Sequence, residues 1–439
     1  MLLTMNRMYI LILILLVGTS IPLITMSEHY AVLLIYALFT LISFVLISKK
    51  KLQFEHFIMA LLASSAIPHS VTLGGLNVSI SDAYIAVMVV LLVIFSKFEL
   101  SIPKTYFVIT ITYLAFCALS LAWANDFTNG LARLIQLIEF MLITVYVFYN
   151  IRSTKFLKTM MNWYIGLATV LGAIAVGYSL AQHVTGPLYI LGFHKNALGS
   201  VLGTSIPLIY GLLLLNKDCS KKVKLTYLFC LFITVFGLLM TMSRGAFLGS
   251  IAAIIVLLYF TNKTKQILGI LGLIAVCFGL YAFILSPSYL ESVTRFDEYS
   301  SAYSRVIIYD DVTSKIKEHP YIGHGVGNYF ISIPQINFSQ DDPNNIFLLN
   351  LVELGVVGLV FFVLMILYIV GVAFKNKREF KQNHELLTLN AIFIAGFVAR
   401  FVHIQVDVSW VRGPGLFMFA MVGMLLSLRK IVKNIKQGS

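Results

Sequence analysis

Apolar runs of about 20 residues recur along almost the whole chain, near 8–26, 30–48, 54–68, 83–96, 105–122, 131–149, 160–180, 197–215, 225–242, 245–260, 266–285, 346–373, 386–404 and 414–428. A helix of that length crosses a hydrocarbon core of about 30 Å. Helices satisfy their own backbone in lipid, and these runs are too long and too continuously apolar for barrel strands. The pattern predicts an all-α polytopic membrane protein of fourteen spans. The short third and fourth runs and the tight Met240–Gly249 boundary leave 12 or 13 open. The opening MLLTMNRMYILILILLVG reads as the first span, because Ser20-Ile21-Pro22 is a poor signal-peptidase site.

One hydrophilic stretch interrupts this pattern, from Ser286 to about Asn344. Within it Ile308, Val312 and Ile316 recur at intervals of four, which predicts a helix lying on an apolar surface. Pro320 stops that helix, and GHGVG at 323–327 reads as a flexible turn. The chain is therefore expected to be one membrane domain, 1–439, carrying a partly helical loop at 286–344.

Composition agrees: 59% of the 439 residues are hydrophobic and 12% charged, about half the charge fraction of a soluble domain. Cys117, Cys219, Cys230 and Cys277 form no CxxC pair and read as packing residues. A net charge of +13 raises nucleic acid as a partner, but the basic residues sit in short clusters between apolar runs, as membrane topology requires. With the N-terminus in the cytoplasm, 23 of the 32 Lys and Arg fall in cytoplasmic segments, so both termini are expected there.

The nine basic residues outside those segments need another reason. Arg133, Lys195, Arg244, Arg305, Arg400 and Arg412 are all expected near the extracytoplasmic face, with Asn196 beside Lys195 in GFHKNALGS. Arginine's planar fork makes paired charge-assisted hydrogen bonds to phosphate, and a diphosphate on a lipid would place its charge at this depth. Structural alternatives stay open: Arg305 lies near Asp297, Glu298, Asp310 and Asp311, and Asp407 is a partner for Arg400 or Arg412. Lys315, Lys317 and Arg295 read as solvated loop residues. His194 and His403 are candidates for the same cavity. His319 and His324 read as loop residues, with His324 kept as a candidate substrate contact. No ligand spacing for a metal appears, and GHGVG lacks the lysine of a nucleotide loop.

GFHKNALGS at 192–200, TMSRGAFLG at 241–249, and the segment running from SRVIIYDDV through HPYIGHGVGNYF to PNNIFLLNLVELGVVGL together resemble the O-antigen ligase and polymerase family. The resemblance implies an all-helical, GT-C-type glycosyltransferase of the bacterial cytoplasmic (inner) membrane, using no cofactor and working on the periplasmic face. Its implied partners are an undecaprenyl-diphosphate-linked glycan, membrane lipids, and flippase and chain-length regulator proteins. Arg244 matches the arginine of the family's Ser-Arg motif, Arg305 the arginine opening the Arg-to-His-Pro segment, and Glu353 the glutamate after its His-Asn motif. Where that motif reads His-Asn, this chain has Asn344-Asn345. Asparagine cannot take a proton at physiological pH, although it can orient a hydroxyl.

Departure of a lipid diphosphate develops negative charge that fixed arginines stabilise. Asp341, Asp342, His324 and His403 are candidate bases; the two aspartates are equally placed to cap the coming helix. Glu353 lies two turns into a span, where a lone carboxylate is costly and calls for an arginine or a substrate hydroxyl. The missing histidine favours a polymerase, which extends a lipid-linked repeat, over a ligase, which moves a finished glycan to an acceptor such as lipid A core. A transporter is the rival from another class: Gly74-Gly75 reads as a helix interruption, but the second half shows no counterpart and the charged cluster is one-sided.

Overall fold

A computed structural model describes residues 70–73, 76–79, 85, 102–151, 153–182, 188–189, 194–216, 219–266, 301–333, 338–408 and 410–437. Nine of the expected spans fall on these residues. Those near 8–26, 30–48, 54–68, 83–96 and 266–285 lie essentially outside them.

The helices are α1 (Lys104–Ser120), α2 (Phe127–Asn150), α3 (Thr154–Ala181), α4 (Lys195–Leu215), α5 (Lys221–Thr241), α6 (Arg244–Phe260), α7 (Ser301–Glu318), α8 (Ile346–Glu379), α9 (His384–His403) and α10 (Arg412–Gln437). Among the described residues seven helices are long and apolar enough to cross a membrane: α2, α3, α4, α5, α8, α9 and α10. This is a mostly helical, multi-pass membrane protein. Two antiparallel hairpins depart from the all-α expectation: β1 (Ser70–Leu73) with β2 (Leu76–Ser79), and β3 (Ile331–Ile333) with β4 (Phe338–Gln340). The pair Gly74-Gly75, read above as a helix interruption, lies outside the described residues.

Burial separates central helices from lipid-facing ones. The apolar stretches of α9 and α10 are each 83% buried, so they form the centre, whereas that of α5 is 17% buried and turns Phe229 and Phe232 outward. At one end of the bundle, cations meet helix-terminal carbonyls: Lys377 donates to Tyr259 O (2.7 Å) and Lys430 to Tyr149 O (2.6 Å). The opposite end carries the segment that follows α7.

α7 buries Ile308 and Val312 and half-buries Ile316, as their spacing predicts, and ends at Glu318, two residues before Pro320. The next stretch is not a flexible turn. Gly355, with φ +63°, breaks α8, and residues 320–325 supply the hydrogen bonds the break leaves open. Val356 N–H donates to Pro320 O and Val357 N–H to Tyr321 O, while His324 N–H and Gly325 N–H donate to the carbonyls of Val352 and Glu353. Beyond that, Val326 N–H reaches Ser120 Oγ (3.0 Å), and the Asn328 side chain bonds both backbone groups of Asp126, the N-cap of α2. Irregular backbone is tolerated at membrane depth when protein satisfies it, and here one segment ties α8 to the α1–α2 turn. Gly355 sits directly between Leu354 and Val356, and a lone glycine there does not by itself mark a break.

Candidate active site

The turn joining α9 to α10 organises the polar end. Arg400, His403 and Asp407 follow at spacings of three and four, so the last turn of α9 and its continuation bring them together. Arg400 is 1% exposed, which makes its partners decisive. Nη1 donates to Ser200 Oγ (3.3 Å) and faces His403 Nδ1 (3.4 Å), and Nη2 donates to Val408 O (3.2 Å). Guanidinium has no acceptor, so Nδ1 must be the unprotonated nitrogen and Nε2 carries the proton. That Nε2 lies 3.1 Å from Asp407 Oδ2 and 3.5 Å from Ser243 Oγ. Asp407 Oδ1 accepts from Asn196 Nδ2 (2.7 Å). The result is a buried network spanning α4, α6 and α9 in which both imidazole nitrogens are engaged.

Asp407 lies between spans. Burial raises its pKa, but the hydrogen bond and electrostatic influence of His403, the Arg400 charge and the Val408 backbone outweigh it, and the net shift is downward. A depressed carboxylate stabilises the fold fully above its unfolded value near 4, and the contribution is lost as pH falls through the lower folded value. Acid titration of thermal unfolding in detergent should therefore show a destabilising limb below about pH 4 that Asp407→Asn removes. The variant should also melt lower at pH 7, where it leaves Arg400 and His403 without their anion.

The Ser-Arg-Gly turn sits directly on this network. A Cβ on Gly245 would fall 2.7 Å from His403 Cδ2 and from Val406 Cγ2, so only glycine allows the approach. Ser243 is buried, whereas Arg244, the first residue of α6, is exposed beside it. Arg305, from α7, donates Nη2 to Val406 O (2.7 Å). Arg305 from α7 and Gly245, next to Arg244 at the start of α6, thus meet one turn, residues 403–407, from different helices. His194 caps α4 by accepting Asn196 N–H at Nδ1 (3.2 Å). Burial lowers its pKa, Asp407 partly offsets this and Lys195 reinforces it. Lys195, half-buried, opens α4 next to it.

The stretch DDPNN docks on the same turn. Asn345 is the N-cap of α8: Oδ1 accepts from Phe347 and Leu348 N–H, and Nδ2 donates to Gln405 O (3.3 Å). Ile346 N–H donates to Ile404 O (3.2 Å). Asp342 is fully buried; Oδ1 accepts Asn344 N–H (2.7 Å), and Gln340 Nε2 donates to its carbonyl. Asn344 adopts φ +56°, a left-handed conformation asparagine tolerates. Asn344 and Asn345 are thus built into the helix start.

Glu353, 3% exposed, lies just before the α8 break. Backbone N–H groups of Gly327 and Tyr329 are its hydrogen-bonding neighbours and Arg133 its neighbouring cation, while Oε1 has no hydrogen-bond partner among the described residues. Arg133 Nη1 donates to Gln136 Oε1 (3.1 Å), and Gln136 Nε2 to Trp410 O (2.7 Å), which links α2 to the α9–α10 segment. Arg412 begins α10 at the end of that segment. His324 is elsewhere: Nε2 lies 2.9 Å from Lys315 O and 3.8 Å from Glu318, folded back on α7. Among the described residues no group of three or more His, Cys, Asp or Glu is placed to hold a metal ion.

Sequence reasoning passed over Ser200, Ser243 and Gln136 and took Asp407 only as a structural counter-ion. The three- and four-residue spacing of Arg400, His403 and Asp407 was the available signal.

The class defined so far is a multi-pass membrane protein with a buried Arg–His–Asp network and two further arginines at one end of its helices. Residues 229–363 match the family described as O-antigen ligase. The chain is also similar to an O-antigen ligase of Pseudomonas aeruginosa, 28% identical over 142 residues, which is 32% of this chain and 33% of that protein. The chain thus matches about a third of that curated relative's length.

Proposed function

We propose that this protein is a glycosyltransferase of the O-antigen ligase type, moving a glycan from a polyprenyl diphosphate to an acceptor hydroxyl at the extracytoplasmic face of the bacterial inner membrane. The observation that carries this reading is that Arg305 bonds Val406 O while Gly245, next to Arg244 at the start of α6, packs on His403 and Val406 of the same turn, with both arginines within the residues that match the ligase family. Charge develops on the departing diphosphate, and guanidinium groups fixed beside it lower the barrier. Arg400 is committed to Ser200, His403 and Val408 and serves as scaffold.

Reconstituted protein given a lipid-linked glycan and a separate glycolipid acceptor should form the transferred product. Arg244→Ala and Arg305→Ala should each lower kcat/KM about 100-fold without lowering the yield of folded protein. Full activity in both variants would end this reading. Asn344-Asn345 in place of His-Asn favours the polymerase alternative. A product ladder from the lipid-linked repeat alone, with no second acceptor, would establish polymerisation.

A further inference from the structure

We infer that Glu353 receives the proton of the acceptor sugar hydroxyl, an assignment that rests on the transferase reading above. Asp341 is exposed, and the remaining candidate groups are engaged or cannot take a proton. Asn345 caps the start of α8 through its side-chain oxygen, and Asn344 is an amide that cannot take a proton. His403 faces Arg400 through one nitrogen and Asp407 and Ser243 through the other. Asp407 uses one oxygen for Asn196 and the other for His403. Asp342 accepts from Asn344 N–H, and His324 is turned toward α7.

Glu353 differs. Its side chain is almost wholly buried, yet Oε1 lacks a hydrogen-bond partner among the described residues. Leaving a buried acceptor unsatisfied is costly, and more so when it is charged. A native structure retains such a group where a ligand or water supplies the missing donor. A sugar hydroxyl is a donor of that kind. The Gly327 and Tyr329 N–H groups and the helix break hold the carboxylate in place, and Arg133 is the cation beside it.

In the reaction, the acceptor oxygen bonds to the anomeric carbon of the donor glycan while its proton passes to Glu353 Oε1. The bond from that carbon to the phosphate oxygen breaks, and its electron pair leaves with the diphosphate. The proton is then released to water.

The test compares Glu353→Gln and Glu353→Asp with wild type in liposomes containing lipid-linked glycan and a glycolipid acceptor. Glu353→Gln should lower kcat about 100-fold or more with the donor KM unchanged. Glu353→Asp, which keeps the carboxylate but withdraws it by one methylene, should fall between. The inference is overturned if Glu353→Gln keeps wild-type kcat, or if its loss appears in donor KM alone. If the glutamine variant does not fold, the aspartate variant decides: reduced kcat at constant donor KM supports the assignment, and undiminished kcat overturns it. Wild-type protein that transfers no glycan overturns the transferase reading itself and this assignment with it.

Discussion

An Arg400→Ala protein is expected to lose most of its folded stability and all measurable transfer. The guanidinium is fully buried and holds Ser200, His403 and the Val408 carbonyl, with Asp407 as its nearby counter-ion. Removing one member of a buried charged set costs about 3–5 kcal/mol, because the remaining charge stays buried without its partner. Alanine also frees His403 Nδ1, so the tautomer that delivers Nε2–H to Asp407 is no longer imposed. Arg400→Lys should be intermediate, since an ammonium keeps the charge but cannot span three partners with a planar fork. Thermal unfolding in detergent, read together with product formation, checks both variants. An unchanged melting temperature for the alanine variant would show that the network does not depend on this cation.

The second large effect falls on Gly355. It sits at φ +63°, and a Cβ there would collide with the Tyr321 backbone. Gly355→Ala should cost about 3 kcal/mol through combined backbone strain and displacement of the inserted segment. Gly371 offers a control on the same helix: a Cβ there meets nothing within 4 Å, and alanine is the better helix former. Gly371→Ala should therefore melt at or above the wild-type temperature. Equal losses in the two variants would mean that the break carries no special constraint.

These two residues mark where the sequence is legible and where it is not. Apolar run length marks the helices because hydrocarbon demands a long, continuous stretch: the runs at 131–149 and 197–215 fall within α2 and α4, and that at 386–404 ends one residue past α9. The fourfold spacing of Ile308, Val312 and Ile316 placed α7 for the same reason. The break at Gly355 is not legible because a lone glycine between Leu354 and Val356 fits a continuous helix, and the partners that permit its conformation lie some thirty residues earlier. GHGVG looked flexible from its glycines, yet positive φ at Gly323, Gly325 and Gly327 serves a tightly bonded insertion. For the candidate site, the sequence offered Arg400 as a phosphate contact, and the structure places it in a buried network with Ser200, His403 and Val408, while Arg305 bonds Val406 O. Asn196 meeting Asp407 across 211 positions is a tertiary fact that no local pattern announces. His324 illustrates the converse, being near the motif in sequence but turned away in space.

The insertion at the α8 break also bears on how the chain is made. Residues 320–325 leave the ribosome before α8 does, so the short helical piece ahead of Gly355 enters the bilayer after its hydrogen-bonding mate has been synthesised. Reversing that order, for instance by a circular permutation that opens the chain between 325 and 346, would oblige a discontinuous helix to partition into lipid with bare amides and carbonyls. Biogenesis, not only the finished architecture, constrains the polypeptide's connectivity here.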